Sequence, residues 1–278
     1  MTRKGLSPDV KFPRVLGIEC VGEVVQDPSR NFVQGQKVAA VMGEMGRAYD
    51  GSYQEYTILP AEIVVPFESK LEWAVLGAIP EMFHTVSGSL DLALQITKGQ
   101  TLLVRGGTSS IGMLSIRYAK SKGITVLAST RAEQKKGLLL EAGADHVLID
   151  NGELAVRVKD LYPQGIDNVL ELVGTQTLKD SMHCVSAGGT VCMSGMLSEQ
   201  WSITDFAPMD FIPALTRLTV FDSGQTPMDK GKLQAFLNDV ELGKISLNLS
   251  RTFSLNEIAE AHRLMDTDAA GGKIVVVL

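Results

Sequence analysis

The residues of this chain with the plainest chemical use lie between Gly106 and Gly112, Gly-Gly-Thr-Ser-Ser-Ile-Gly. Before them, Thr101–Val104 is a short apolar run that suits a strand buried on both faces. After them, Ile111, Leu114, Ser115, Tyr118 and Ala119 recur at helical spacing up to Lys122. A turn of small residues between a strand and a helix lets backbone come close to an anion. The unpaired N–H groups and partial positive charge of the helix start can then hold a phosphate. Gly107, Thr108, Ser109, Ser110, Ile111 and Gly112 are therefore the candidate pyrophosphate turn. The frame reads Gly107-x-Ser109-x-x-Gly112, with serine at the middle position. By itself such a motif serves equally as a structural turn, so its setting has to decide.

That setting is an alternation. Ile124–Ser129 is a second buried-strand pattern, entered through Gly123 as a helix C-cap. The helical stretch Ala132–Ala142 leads to a strand at Val147–Ile149, and further strands fall at Val169–Leu172, Gly189–Met193 and Leu218–Phe221. Repeated strand–helix units predict an α/β fold with a parallel, doubly wound (Rossmann) sheet. In such a sheet the Gly106–Gly112 turn is a dinucleotide site. An NAD-preferring site places Asp or Glu about 20 residues beyond the first glycine, on the ribose 2′-hydroxyl. Here that place reads Ser129-Thr130-Arg131, with Lys135 one turn on. A hydroxyl, a guanidinium and an ammonium with no carboxylate among them would take a 2′-phosphate, which predicts NADPH.

The 278 residues are enough for two domains. A net charge of −6 and the lack of a basic run exclude a nucleic-acid surface. Cys20, Cys184 and Cys192 form no C-x-x-C pair and read as reduced thiols. No signal-peptide core and no apolar run of about 18 residues occurs, so the expectation is a cytoplasmic protein with no membrane partner. Ahead of the alternation, Val15–Val25, Gln36–Met42 and Tyr53–Leu59 read as strands of a small antiparallel β domain, followed by helices at Leu71–Ile79 and Met82–Leu94. In the third of these strands Tyr53 and Tyr56 face opposite sides, and both are expected in the core. Beyond the alternation come an amphipathic helix at Lys232–Leu242, a capping box Ser254-Leu-Asn-Glu257 opening Ile258–Met265, and a last strand, Lys273–Leu278. No G-x-S-x-G elbow occurs; His84 borders Thr85 and is expected toward the cleft, while His146, His183 and His262 read as surface or helix positions.

The order of pieces resembles the medium-chain dehydrogenase/reductase superfamily and, within it, the zinc-free quinone oxidoreductases. The resemblance is carried by Gly17-Ile-Glu-Cys-Val-Gly22, Gln34-Gly-Gln-Lys-Val38, Gly51-Ser-Tyr-Gln-Glu-Tyr56, Thr85, Gly106–Gly112, Gly143-Ala-Asp145, Glu171-Leu-Val-Gly174, Gly188-Gly-Thr-Val191 and Gly272-Lys-Ile-Val275. It implies a GroES-like β domain over residues 1–78, a Rossmann domain over 79–225 and a return to the first domain over 226–278. Zinc-dependent members have a histidine where this chain has Ile18, so no metal is expected. Members also carry further strands before the segment that Met1–Gly5 resembles. The expectation is a shortened N-terminus, which would leave strand edges of the β domain uncovered.

The resemblance implies hydride transfer from NADPH to a small-molecule acceptor, a quinone or an α,β-unsaturated carbonyl. An enoyl-thioester reductase and a silent NADPH-binding protein are the alternatives. By family position Thr85 would lie near the nicotinamide. Val173, Gly195, Met196, Phe221 and Ser223 follow strand ends on the carboxyl edge of the sheet, where doubly wound folds bind ligands. Lys273 would approach the cofactor from the last strand. Tyr49, in the Gly43–Gly51 loop, would line the substrate cleft and donate a proton. The strand Arg217–Phe221 would be a bare sheet edge in a monomer, and pairing across it predicts a homodimer.

Overall fold

Apolar runs and glycine turns dictate most of the architecture of the computed structural model, which describes residues 2–5, 7, 10–267 and 270–278. The chain forms two units, Met1–His84 with Ser223–Leu278, and Thr85–Asp222. No helix among the described residues is long and apolar enough to cross a membrane.

The first unit opens with an antiparallel sheet of β1 (Glu19–Glu23), β2 (Lys37–Val41) and β3 (Val64–Pro66), in which Cys20 lies opposite Ala40 and Ala39 opposite Val65. Two sequence expectations are corrected here. The strand expected over Val15–Val25 is confined to Glu19–Glu23, because Gly17 at φ +107° turns the chain out of the extended region. Residues 53–59 form no strand. The segment crosses residues 15–17 at close range: the amides of Gly51, Ser52 and Tyr53 donate to the carbonyls of Val15, Gly17 and Leu16, and the Gln54 amide then turns back to Ser52. With that local turn the ladder stops. Tyr56 is consequently 72% exposed and is not a core residue, whereas Tyr53 stacks against His262 with ring centroids 5.7 Å apart.

The expected helix Leu71–Ile79 shrinks to α1 (Trp73–Leu76), since the amides of Ala78 and Ile79 close tight turns on Val75 and Leu76 and Pro80 has no amide to continue. Pro80 instead begins α2 (Pro80–Ser87), which passes into a π-helical stretch, Gly88–Ala93, in place of the regular helix expected to Leu94.

In the second unit the strands are β4 (Thr101–Arg105), β5 (Thr125–Thr130), β6 (His146–Ile149), β7 (Ile166–Glu171), β8 (Val185–Met193) and β9 (Arg217–Val220). They form one parallel sheet in the order β6-β5-β4-β7-β8-β9. The helices between them are α3 (Ser110–Ser121), α4 (Lys136–Glu141), α5 (Leu154–Leu161), α6 (Thr175–Met182) and α7 (Pro208–Phe211). Chain order reverses between β4 and β7, the switch point at which doubly wound sheets bind ligands. Strands buried on both faces explain the near-continuous apolar runs. A core of Leu103, Leu127, Val158, Val169, Met182 and Val191 joins the sheet to α5 and α6.

The chain then returns to the first unit through α8 (Lys230–Glu241), capped by Asp229, whose carboxylate accepts the Lys232 amide at 2.8 Å. Parallel strands β10 (Leu249–Ser254) and β11 (Lys273–Val277) flank α9 (Ile258–Asp266). The capping box is present as expected: the Ser254 amide donates to Glu257 at 2.9 Å. Phe83 and Phe236 pack with ring centroids 4.7 Å apart in this unit's core.

Candidate functional site

The six turn residues come together at the carboxyl end of β4. Gly106 takes φ +87°, and the Gly107 amide donates to the carbonyl of Ser129 at 3.0 Å, closing the turn on the neighbouring strand. Ser109 is the N-cap of α3: its hydroxyl accepts the Gly112 amide at 3.0 Å and donates to the Gly106 carbonyl at 2.9 Å. With φ −73° and ψ 163°, its backbone is one that any residue adopts, which is why serine can stand at this position. Gly112 cannot vary in the same way, since a β-carbon there would meet the Gly106 carbonyl at 2.5 Å. The amides of Ser110 and Ile111 begin the helix ahead of any intrahelical acceptor, and the first turn contains no acidic side chain. Thr108, Ser109, Ser110 and Ile111 are partly exposed. A helix start of this kind can take an anionic group such as a phosphate.

At the end of β5 the expected trio divides. Arg131 and Lys135 are exposed, while Lys136 is paired with Glu133 at 2.6 Å. Ser129 is a correction: it is 1% exposed, and its hydroxyl lies beneath the turn, accepting the Gly106 amide at 3.3 Å and reaching Asp150 at 3.5 Å. Its side chain supports the turn from below. The bonds to the Gly106 amide and to Asp150 account for this, drawing the side chain inward although Arg131, two residues on, is exposed.

The other strand ends of this sheet carry the remaining carboxyl-edge residues. Beyond β7, Glu171 accepts the amides of Val173 at 2.7 Å and Gly174 at 3.0 Å. Beyond β8, Ser194 bonds Ser89 at 2.7 Å, Gly195 is pressed against Leu172, and Met196 is half-buried. Beyond β9, the ring of Phe221 lies on Gly88. Thr85, on α2, is 7% exposed.

Tyr49, Ser223 and Lys273 belong to the first unit. The Tyr49 hydroxyl donates to the Gly43 carbonyl at 2.8 Å, and burial, with Glu62, Glu44 and Cys20 nearby, pushes its pKa up. Ser223 donates to Glu81 at 2.8 Å, and His84 Nε2 donates to the carbonyls of Ser223 at 3.1 Å and Thr226 at 2.8 Å. Lys273 forms an ion pair with Glu19, whose other oxygen accepts the Glu81 amide at the start of α2 at 2.8 Å. Among the described residues no three His, Cys, Asp or Glu side chains stand close enough to hold a metal ion.

Sequence reading missed Arg105. It is 0% exposed, with Nε and Nη2 forked onto Asp150 at 2.8 and 2.9 Å and Nη1 on Asp180 at 2.6 Å, the Thr177 carbonyl at 3.1 Å and Ser181 at 3.1 Å. Ser181 in turn donates to Glu171 at 2.5 Å. Burial opposes the charge of Arg105, but the bonded Asp150, with Glu171 and Asp180, outweighs it and raises the pKa. Burial raises the pKa of Glu171 as well, against Ser181, Arg105 and the two amides. The available signal was an arginine closing an apolar strand directly before Gly-Gly, with acids at the ends of two parallel strands.

Comparison with known proteins finds matches along most of the chain. Residues 1–69 match the family described as an alcohol dehydrogenase GroES-like domain, and residues 142–276 the family described as a zinc-binding dehydrogenase. The chain is 25% identical to the quinone oxidoreductase of Pseudomonas aeruginosa, over 99% of its own length and 85% of the relative's. It is 29% identical to prostaglandin reductase-3 of Bos taurus, over 73% of its own length and 52% of the relative's. A mycobacterial protein solved in complex with NADPH has the same fold, with a TM-score of 0.84 and 22% identity over 99% of this chain and 85% of that one.

Proposed function

The chain belongs to the medium-chain dehydrogenase/reductase superfamily of oxidoreductases, and from that premise we propose that it is a zinc-independent, NADPH-dependent enzyme reducing a quinone or an α,β-unsaturated carbonyl. The observation that carries the cofactor is the end of β5: Arg131 and Lys135 stand exposed beyond the glycine turn, with no acid between Ser129 and Ala132. In this reading the amides of Ser110 and Ile111 bind the pyrophosphate, and Arg131 and Lys135 bind the 2′-phosphate. Val173, Gly195, Met196 and Phe221 border the nicotinamide and exclude water from it, with Thr85 oriented beside it. NADPH, when bound, supplies the hydride.

A conjugated acceptor polarises its own double bond and asks for no metal at the site. Ile18, an aliphatic side chain, stands in the Gly-x-Glu motif where zinc-dependent members place a histidine. Relatives named as quinone oxidoreductases support this acceptor class. The bare outer edge of β9, where Val220 is 65% exposed, supports a homodimer joined through that edge. The test of function is NADPH oxidation with quinones, enones and crotonyl-thioester in parallel. Preference for the thioester would move the assignment to an enoyl-thioester reductase, and binding of NADPH without turnover on any acceptor would make the chain a silent binder.

A further inference from the structure

We infer that Arg105 is the positioning residue of the dinucleotide turn, a role that rests on the proposed function. The argument begins with cost. A guanidinium with no exposed surface has lost its water, and buried ion clusters are often replaceable by apolar side chains without loss of stability. Packing alone therefore gives no reason for an arginine here. Its forked geometry does, because a planar cation bonded through three nitrogens fixes the directions of its partners as well as their distance.

Each partner has a second task. Asp150 reaches Ser129 at 3.5 Å and accepts the Gly152 amide at 3.0 Å. Ser129 holds the amide of Gly106 through its hydroxyl and the amide of Gly107 through its carbonyl. A continuous path thus leads from the Arg105 side chain through Asp150 and Ser129 to the two glycines that follow Arg105 in the chain. Asp180 accepts the amides of Leu154 at 2.9 Å and Ala155 at 3.2 Å, fixing the start of α5. Glu171, linked through Ser181, holds the amides of Val173 and Gly174. One buried cation therefore sets the ends of β4, β5, β6 and β7 relative to one another. Both the pyrophosphate turn and the Val173 loop lie on that edge.

The test uses Arg105→Lys, which keeps the charge and loses the fork, and Arg105→Met combined with Asp150→Asn, which removes the pair together. Three quantities are measured on each full chain: affinity for NADPH, affinity for adenosine 2′-monophosphate, and the urea midpoint. Adenosine 2′-monophosphate reaches Arg131 and Lys135 without needing the pyrophosphate turn. The expected result is NADPH binding weakened about 10- to 100-fold in both variants. Adenosine 2′-monophosphate should change by less than about threefold in both variants, and Arg105→Lys, which keeps a cation beside Asp150, Glu171 and Asp180, should keep a midpoint near the parent's. Undiminished NADPH affinity in either variant overturns the inference, as does parallel weakening of both ligands along with the midpoint, which is what general loss of structure would give. If the parent chain binds no dinucleotide, the functional reading falls first and this inference falls with it. Equal binding by parent and variants removes only the role of Arg105.

Discussion

The ring of Phe221 lies so close over Gly88 that a β-carbon on the glycine would sit 1.9 Å from the ring's Cζ. Gly88 opens the π-helical stretch after α2, and Phe221 follows the edge strand β9, so the irregular turn and the aromatic side chain fit as one piece. Gly88→Ala should displace the ring and destabilise the fold by about 1–3 kcal/mol, the usual range for overpacking. Phe221→Ala made together with Gly88→Ala should recover part of that loss. A double-mutant cycle in urea checks the coupling, and strict additivity would mean that the contact carries no energy.

Ser109 joins the turn to α3 from both sides, as acceptor for Gly112 and donor to Gly106. Ser109→Ala should cost about 1 kcal/mol and Ser109→Gly only a few tenths, following the N-cap order. Urea denaturation of the two variants reports the difference. Equal costs would show that the hydroxyl does not cap the helix.

The Tyr49 hydroxyl is engaged by the Gly43 carbonyl, and its raised pKa leaves it a poor proton donor near neutrality. Tyr49→Phe should therefore retain turnover to within about threefold, well short of the 100-fold or greater loss expected on deleting a general acid. Steady-state kcat on the acceptor found in the screen decides this. A loss of about 100-fold would restore Tyr49 as the proton donor.

Burial lowers the pKa of His84 below its usual value, with the bonds to the Ser223 and Thr226 carbonyls acting in the opposite direction. A depressed histidine pKa means that the unfolded chain binds the proton more readily. Its contribution is then present above the ordinary value of 6.5 and is lost as the pH falls below it. His84→Gln, which can still donate an N–H, should flatten the fall in urea midpoint between about pH 7 and pH 5. An unchanged slope in the variant would show that the loss comes from other groups.

Much of this was legible in the sequence because parallel strands buried on both faces produce apolar runs, and glycines mark the turns between them. The strand–helix alternation from Thr101 onward and the turn Gly107–Gly112 were readable for that reason. What depends on side-chain direction was not. Ser129 and Arg131 are two residues apart, yet Ser129 is drawn under the turn by Asp150 while Arg131 is exposed, and no local pattern shows that pull. Arg105 carries no local signal of its role, because its partners lie 45 to 76 residues away in sequence. The alternation over Tyr53–Leu59 suggested a strand, but pairing needs a neighbour, and beyond Tyr53 the chain turns back on itself.

The most direct test of the central claim is a titration of the full chain with NADPH and with NADH, followed by nicotinamide fluorescence. The account predicts a preference for NADPH that is lost in Arg131→Ala with Lys135→Ala, while NADH binding stays unchanged in that variant. Equal affinity for the two cofactors, or a preference for NADPH that survives the double substitution, would contradict it.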